Sequence, residues 1–236
     1  MLFTPRASPA PIDIITKDGT TIEWVERYKY LGFWLDQHLN FKFHIDSLNK
    51  KLKFTLGFFY RLKTCFDRAA RKKIVNGLFL SQLDYGDTIY RFACATTLAK
   101  LDPLYHAALR FITNSPFRTH HCNLYAAVDW PSLGARRLQH WYLFIYKAIF
   151  GNLLPAYISS KFKLVRNGLN LRSNAWVRCI IPTSTPEVGK KSLAFFGPWS
   201  WNDLQTRLKL ASLIPVRRFK RIIVDDLAHT CTCRDI

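Results

Sequence analysis

No stretch of this sequence is apolar for long enough to cross a bilayer. The longest greasy run, around 141–149, is broken by Lys147 and falls short of the roughly 18 residues that a span requires. Membrane partners are therefore not expected. The six cysteines (Cys65, Cys94, Cys122, Cys179, Cys231, Cys233) lack the spacing of a disulfide framework, and no apolar segment with a small-residue cleavage site opens the chain. The expectation is an intracellular protein, nuclear or cytoplasmic. Also missing are a Gly-x-x-x-x-Gly-Lys phosphate loop, a Gly-x-Gly-x-x-Gly turn, a His-Glu-x-x-His pair, internal repeats and low-complexity tracts, so no cofactor is expected. Acidic side chains are scarce as well. Sixteen Asp and Glu face 35 Lys and Arg, a net charge of +19, which favours a polyanionic partner without saying anything about fold.

What is present supports a folded core. The 236 residues are 49% hydrophobic and 15% aromatic, far from the composition of a disordered chain, and long enough for one large domain or two small ones. The surplus charge is uneven. Residues 41–80 hold ten basic and two acidic side chains, net +8, and residues 161–200 hold seven and one, net +6. The middle is nearly neutral.

Patterning predicts a mainly α protein. Short β-branched runs at Ile12-Asp13-Ile14-Ile15 and Thr21-Ile22-Glu23-Trp24-Val25 flank Lys17-Asp18-Gly19-Thr20, a hairpin signal, and a third strand is expected over 28–35. The period then changes. Ile45, Leu48, Leu52, Leu56 and Phe59 form one helical stripe, Asp67 can cap a second helix reaching about Leu83, and Asp102-Pro103 splits or kinks a third region over 97–113. A fourth helix over 133–150 opens at Ser132 and closes at Gly151. Beyond Pro155 the signals weaken. Residues 161–174 read as a polar connector, 177–181 and 192–196 as short strands or extended arms, and 212–228 as a last helix. The expected divisions are 1–40, a β element; 41–160, a helical domain; and 161–236, a loosely structured basic region with short strands and a terminal helix.

On the first helix Lys50, Phe54, Gly57 and Arg61 lie opposite the leucine stripe, with Phe58 beside them and Lys51 and Lys53 adjoining. Cations can neutralise phosphates, a ring can stack on a base or sugar, and a glycine lets a strand come close. The alternative buries Phe54 and Phe58 under a neighbour and leaves the lysines merely solvated. Arg68, Arg71, Lys72 and Lys73 follow on the second helix, where they could extend this face into one groove wall. Arg136, His140, Phe144 and Lys147 on the fourth helix read as a solvated face. Asp84-Tyr85-Gly86-Asp87 reads as a helix end, with Gly86 as terminator. Asp225-Asp226, although flanked by apolar residues like a metal-binding carboxylate pair, falls on a helix. His106, His120, His121, Cys122, His229, Cys231 and Cys233 are conceivable zinc ligands without the bracketed spacing of a zinc site, so no metal is expected. A different possibility is an interaction or vestigial module docking through Trp130, Trp199 and Trp201.

The run Tyr28-Lys29-Tyr30-Leu31-Gly32-Phe33-Trp34-Leu35-Asp36, with Leu39-Asn40-Phe41 and His44-Ile45 after it, resembles the palm-to-thumb junction of reverse transcriptases from non-LTR (LINE-type) retrotransposons. Phe79-Leu80-Ser81, Leu83-Asp84-Tyr85-Gly86-Asp87, Ala108-Leu109-Arg110-Phe111-Ile112-Thr113, Gly197-Pro198, Trp201-Asn202-Asp203-Leu204 and Phe219-Lys220 continue the likeness in order. The resemblance implies that Tyr30, Leu31 and Gly32 mark the junction and that the helices after it form a thumb-like bundle holding a template-primer duplex. It also implies that the catalytic Asp-Asp box and the palm lie upstream, outside these residues. The expectation is a non-catalytic polymerase fragment, partnered by the missing palm and fingers, that binds RNA or DNA backbone without sequence preference.

Overall fold

The computed structural model describes residues 14–150, 153–165, 176–184 and 187–227. The protein is mainly α, with two small antiparallel strand pairs near its N-terminus. It divides into two compact units, Met1–Trp130 and Pro131–Ile236. The division falls inside the stretch expected as one helical domain over 41–160. Gly151, residues 166–174, His229, Cys231, Cys233 and the Ile12-Asp13 end of the first expected strand lie outside the described residues.

In the first unit β1 (Ile14–Ile15) pairs with β2 (Thr21–Ile22) across a turn in which Gly19 has a positive φ of 78°, as the Asp-Gly signal predicts. The strand expected over 28–35 is instead a second hairpin. β3 (Arg27–Tyr30) pairs with β4 (Phe33–Asp36) in the register Tyr30↔Phe33, and Leu31 and Gly32 form the turn between them with φ of 45° and 87°. Two successive positive φ values make a mirror-image turn, which matches the twist of the flanking strands. Leucine is a poor residue for it, costing about 1–2 kcal/mol there. The Tyr85 hydroxyl donates to the Leu31 carbonyl at 2.7 Å and holds the turn from outside.

The loop leaving this hairpin winds around one carboxylate. Asp36 Oδ1 accepts the N–H groups of His38 and Asn40, Oδ2 accepts that of Phe41, and Asn40 Oδ1 accepts that of Lys42. Asp36 and Asn40 thus satisfy donors at the start of α1 (Lys42–Arg61), where Phe41, at φ 57°, has no side-chain cap to offer. The leucine stripe of α1 is buried as its spacing predicts: Ile45, Leu48, Leu52, Leu56 and Phe59 all face inward.

The helix expected from Asp67 to about Leu83 exists in three continuous pieces. Asp67 caps α2 (Arg68–Ile74) by accepting the Ala70 N–H at 2.7 Å, a π-helical stretch follows over Val75–Leu80, and α3 (Ser81–Asp84) completes it. Val75, Phe79, Leu80 and Leu83 are buried. Gly86 then ends the helix at φ 64°, with Phe33 packed where a side chain would be. After α4 (Asp87–Tyr90), the third region is indeed two helices, α5 (Ala95–Ala99) and α6 (Asp102–Thr113), the second with a proline in its first turn. α7 (His121–Val128), which the sequence reading did not anticipate, packs on α6.

In the second unit α8 (Leu133–Phe150) has the predicted start, and Ser132 Oγ accepts the Ala135 N–H. Past the short α9 (Ala156–Ser159) and an isolated antiparallel bridge between Leu164 and Cys179, α10 (Glu187–Lys190) leads into α11 (Leu193–Leu208). α11 corrects the expectation of a short strand or extended arm at 192–196 and adds a long helix before the expected terminal one. Gly197 and Pro198 disfavour a helix interior, yet both are buried inside α11, where Gly197 lets Phe162 approach within a distance no Cβ would allow. α12 (Val216–Leu227) follows Pro215. Trp201, Tyr146 and Phe219 form the centre of this unit, the last two stacked at 3.8 Å.

Candidate nucleic-acid interface

The leucine stripe fixes the rotation of α1 and therefore decides what its opposite side shows. Lys50, Lys51, Lys53, Phe54, Gly57, Phe58 and Arg61 are all exposed. Phe54 is 82% exposed and Phe58 52%, so the alternative in which a neighbouring helix covers them does not hold. Among the described residues no carboxylate pairs with Lys50, Lys51, Lys53 or Arg61; the nearest acidic group on the helix, Asp46, is engaged by Lys100 at 2.6 Å. The face combines four unpaired cations with two accessible rings.

The second basic cluster is placed differently. Arg68 donates to the Ala127 carbonyl at 2.5 Å and Lys72 to the Val128 carbonyl at 2.7 Å, so two of its cations bind the last turn of α7. Those carbonyls have no partner within their own helix, and the negative end of the helix dipole favours a cation there. Arg71 donates to the Phe66 carbonyl at 3.0 Å and to that of Phe111, with its guanidinium over the Phe111 ring. Only Lys73 of the four is exposed without an internal partner. The single groove wall expected from Lys50 to Lys73 is thus reduced to the α1 face, because Arg68, Arg71 and Lys72 fasten helices to one another.

Tyr30, Leu31 and Gly32 form the tip of the second hairpin, and Tyr30 and Leu31 are exposed there. Asp226 receives a hydrogen bond from Arg207 at 2.6 Å on α12, an ion pair between helices and not a carboxylate pair converging on a metal. His120, His121 and Cys122 bring one ligand atom each within 4.8 Å of one another, which is one short of the four protein ligands of a structural zinc site. His106, beside them, is bonded through Nε2 to the Tyr125 hydroxyl at 2.6 Å, and burial, reinforced by the nearby His121, holds its pKa down to about 4. On α8, Arg136, His140, Phe144 and Lys147 are half-buried, so this face is less solvated than expected. Of the tryptophans considered for docking, Trp201 is wholly buried and donates to the Val177 carbonyl; Trp130 is half-buried under Lys72, and Trp199 remains exposed.

No helix among the described residues is long and apolar enough to cross a membrane. Comparison of the chain with protein-family models, with curated proteins and with solved structures finds no match.

Proposed function

We propose that this chain holds the sugar-phosphate backbone of RNA or DNA, without reading its sequence, on the outer face of α1. The observation that carries the reading is Phe54, 82% exposed between Lys50, Lys53 and Arg61, none of which has a carboxylate partner among the described residues. A solubilising face needs the cations but not the rings, whereas a nucleic-acid strand uses both, neutralising charge at phosphates and stacking on aromatic faces. The resemblance of residues 28–45 to the palm-to-thumb junction of LINE-type reverse transcriptases supports the same role, that of the non-catalytic, thumb-like part of a polymerase whose chemistry belongs to a palm and fingers.

The test is an anisotropy titration of random-sequence single strands and duplexes between about 50 and 200 mM salt. The expected result is affinity that falls linearly in log-log coordinates and is the same for unrelated sequences. Absence of binding at about 50 mM salt, or a flat salt response, would overturn the proposal.

A further inference from the structure

A pocket of about 340 Å³ lies in the first unit, walled by three elements: the second hairpin (Lys29, Gly32, Trp34), α1 (His44, Ser47, Lys51) and α3 with the residue that follows it (Ser81, Gln82, Tyr85). That volume is at the small end of the range for ligand sites, about 300–1,000 Å³. No carboxylate and no thiol lines it, while two ammonium groups and three hydroxyls do, that of Tyr85 already donating to the Leu31 carbonyl. Such a lining is complementary to an anion. Two further polar atoms of its lining residues, His44 Nε2 and Gln82 Oε1, are buried and have no hydrogen-bond partner among the described residues; the oxygen, an acceptor, offers nothing to an anion, so only the histidine nitrogen bears on one. His44 is only 7% exposed, and the Trp34 N–H donates to its Nδ1 at 3.5 Å. This leaves the proton of the neutral ring on Nε2 and adds a donor to the pocket's inner wall.

The pocket is continuous with the proposed interface. Ser47, Lys51, Phe54 and Phe58 follow one another at spacings of 4, 3 and 4, which places them in a single line along α1. The first two line the pocket and the last two are the exposed rings outside it. The axial separation of Phe54 and Phe58, four residues, is about 6 Å.

We propose that this pocket receives the terminal phosphate of a nucleic-acid strand, between Lys29 and Lys51, while the adjoining bases stack on Phe54 and Phe58. The inference rests on the backbone-binding reading and narrows it to a preference for strand ends. Walls on three sides suit a chain that stops in the pocket better than one that must enter and leave it. The hydroxyls of Ser47 and Ser81 offer further donors to the phosphate oxygens, which at a chain end number one more than at an internal linkage.

The experiment compares single strands of about a dozen nucleotides, labelled at one end and carrying either a phosphate or a hydroxyl at the other, in both polarities. The expected result is about tenfold tighter binding of a phosphate-ended strand, in at least one polarity. Lys29→Ala should erase that difference and Lys29→Arg should keep it, whereas Lys53→Ala should weaken both strands alike and preserve their ratio. Equal affinity of phosphate- and hydroxyl-ended strands in the unaltered protein overturns the end pocket; salt-sensitive binding of both would leave the backbone-binding reading standing. Failure of every strand to bind at about 50 mM salt overturns both.

Discussion

Replacing Lys50, Lys53 and Arg61 together by alanine removes three cations from the outer face of α1, where all three are exposed and none has a partner among the described residues. If each neutralises one phosphate, each contributes about 0.7 to the logarithmic salt slope on a single strand and about 0.9 on a duplex. The triple variant should therefore flatten the slope by roughly two to three and weaken binding at about 0.1 M salt by roughly a hundredfold or more. Folding stability should move by less than about 0.5 kcal/mol. The informative control is a second triple of equal charge, Arg68→Ala, Arg71→Ala and Lys72→Ala. Its cations donate to main-chain carbonyls, two of them at the end of α7. That variant should lose roughly 2–4 kcal/mol of stability and, once folded, change the salt slope by less than about one. Anisotropy titrations at several salt concentrations, with thermal or urea denaturation of the same samples, separate the two signatures. Equal slopes for the two triples, or a stability loss confined to the first, would refute the assignment of the α1 face as the phosphate-binding surface.

Phe54→Ala should leave the denaturation midpoint unchanged and weaken single-strand binding by about 1–3 kcal/mol, the usual worth of a base stacked on an aromatic ring; unchanged affinity would mean that the ring is not a stacking platform. Gly86→Ala should destabilise the first unit by about 2 kcal/mol or more, because its φ is 64° and a Cβ would sit 1.9 Å from the Phe33 ring; a midpoint equal to that of the unaltered protein would contradict this packing. Among the described cysteines, Cys94 should be the most reactive thiol at neutral pH. Hydroxyls of Thr96 and Thr97 stabilise its thiolate and lower its pKa to about 7, whereas burial pushes the Cys179 thiol up to about 12. Site-resolved alkylation against pH should show a midpoint near 7 for Cys94, raised by Thr96→Val, and no labelling of Cys179 in the folded protein; a Cys94 midpoint at or above the ordinary value of about 8.5 would count against this geometry.

Long amphipathic helices were the legible part of this sequence. The stripe of α1 and the Ser132 start of α8 could be read because apolar spacing and a capping residue agree. Two kinds of element were not. The Leu31-Gly32 turn hides a hairpin inside what alternates like one strand, since leucine at a left-handed position gives no turn signal and is held there by Tyr85 from a distant part of the chain. α11 is masked by Gly197 and Pro198, whose helix-breaking tendency is overridden by burial against Phe162 and the Trp201 cluster. The short α7 matters most for the site. Without it Arg68 and Lys72 look like free cations beside those of α1, and only with it does their task at its carbonyl end appear. The exposed rings of α1, by contrast, follow from rotation of a single helix about a known stripe, which sequence spacing supplies.

The fold therefore sorts eight of the ten cations of residues 41–80 by what surrounds them. Arg68, Arg71 and Lys72 sit where main-chain carbonyls lack donors, and Lys63 lies over the Tyr60 ring. Those positions would serve a protein with no polyanionic partner at all. Among the described residues Lys50, Lys51, Lys53 and Arg61 satisfy no carbonyl and neutralise no carboxylate, yet they surround two phenylalanines left in solvent. Full burial of such a ring would stabilise the chain by about 1.5–3 kcal/mol, and the helix has an apolar stripe on its other side that could have taken it. Solubility alone explains lysines and arginines on this face but works against phenylalanines among them. The combination is accounted for when the rings and the cations act on one ligand with flat apolar faces and a charged backbone, and this is why the proposed partner of this part of the chain is a nucleic acid and not an acidic protein.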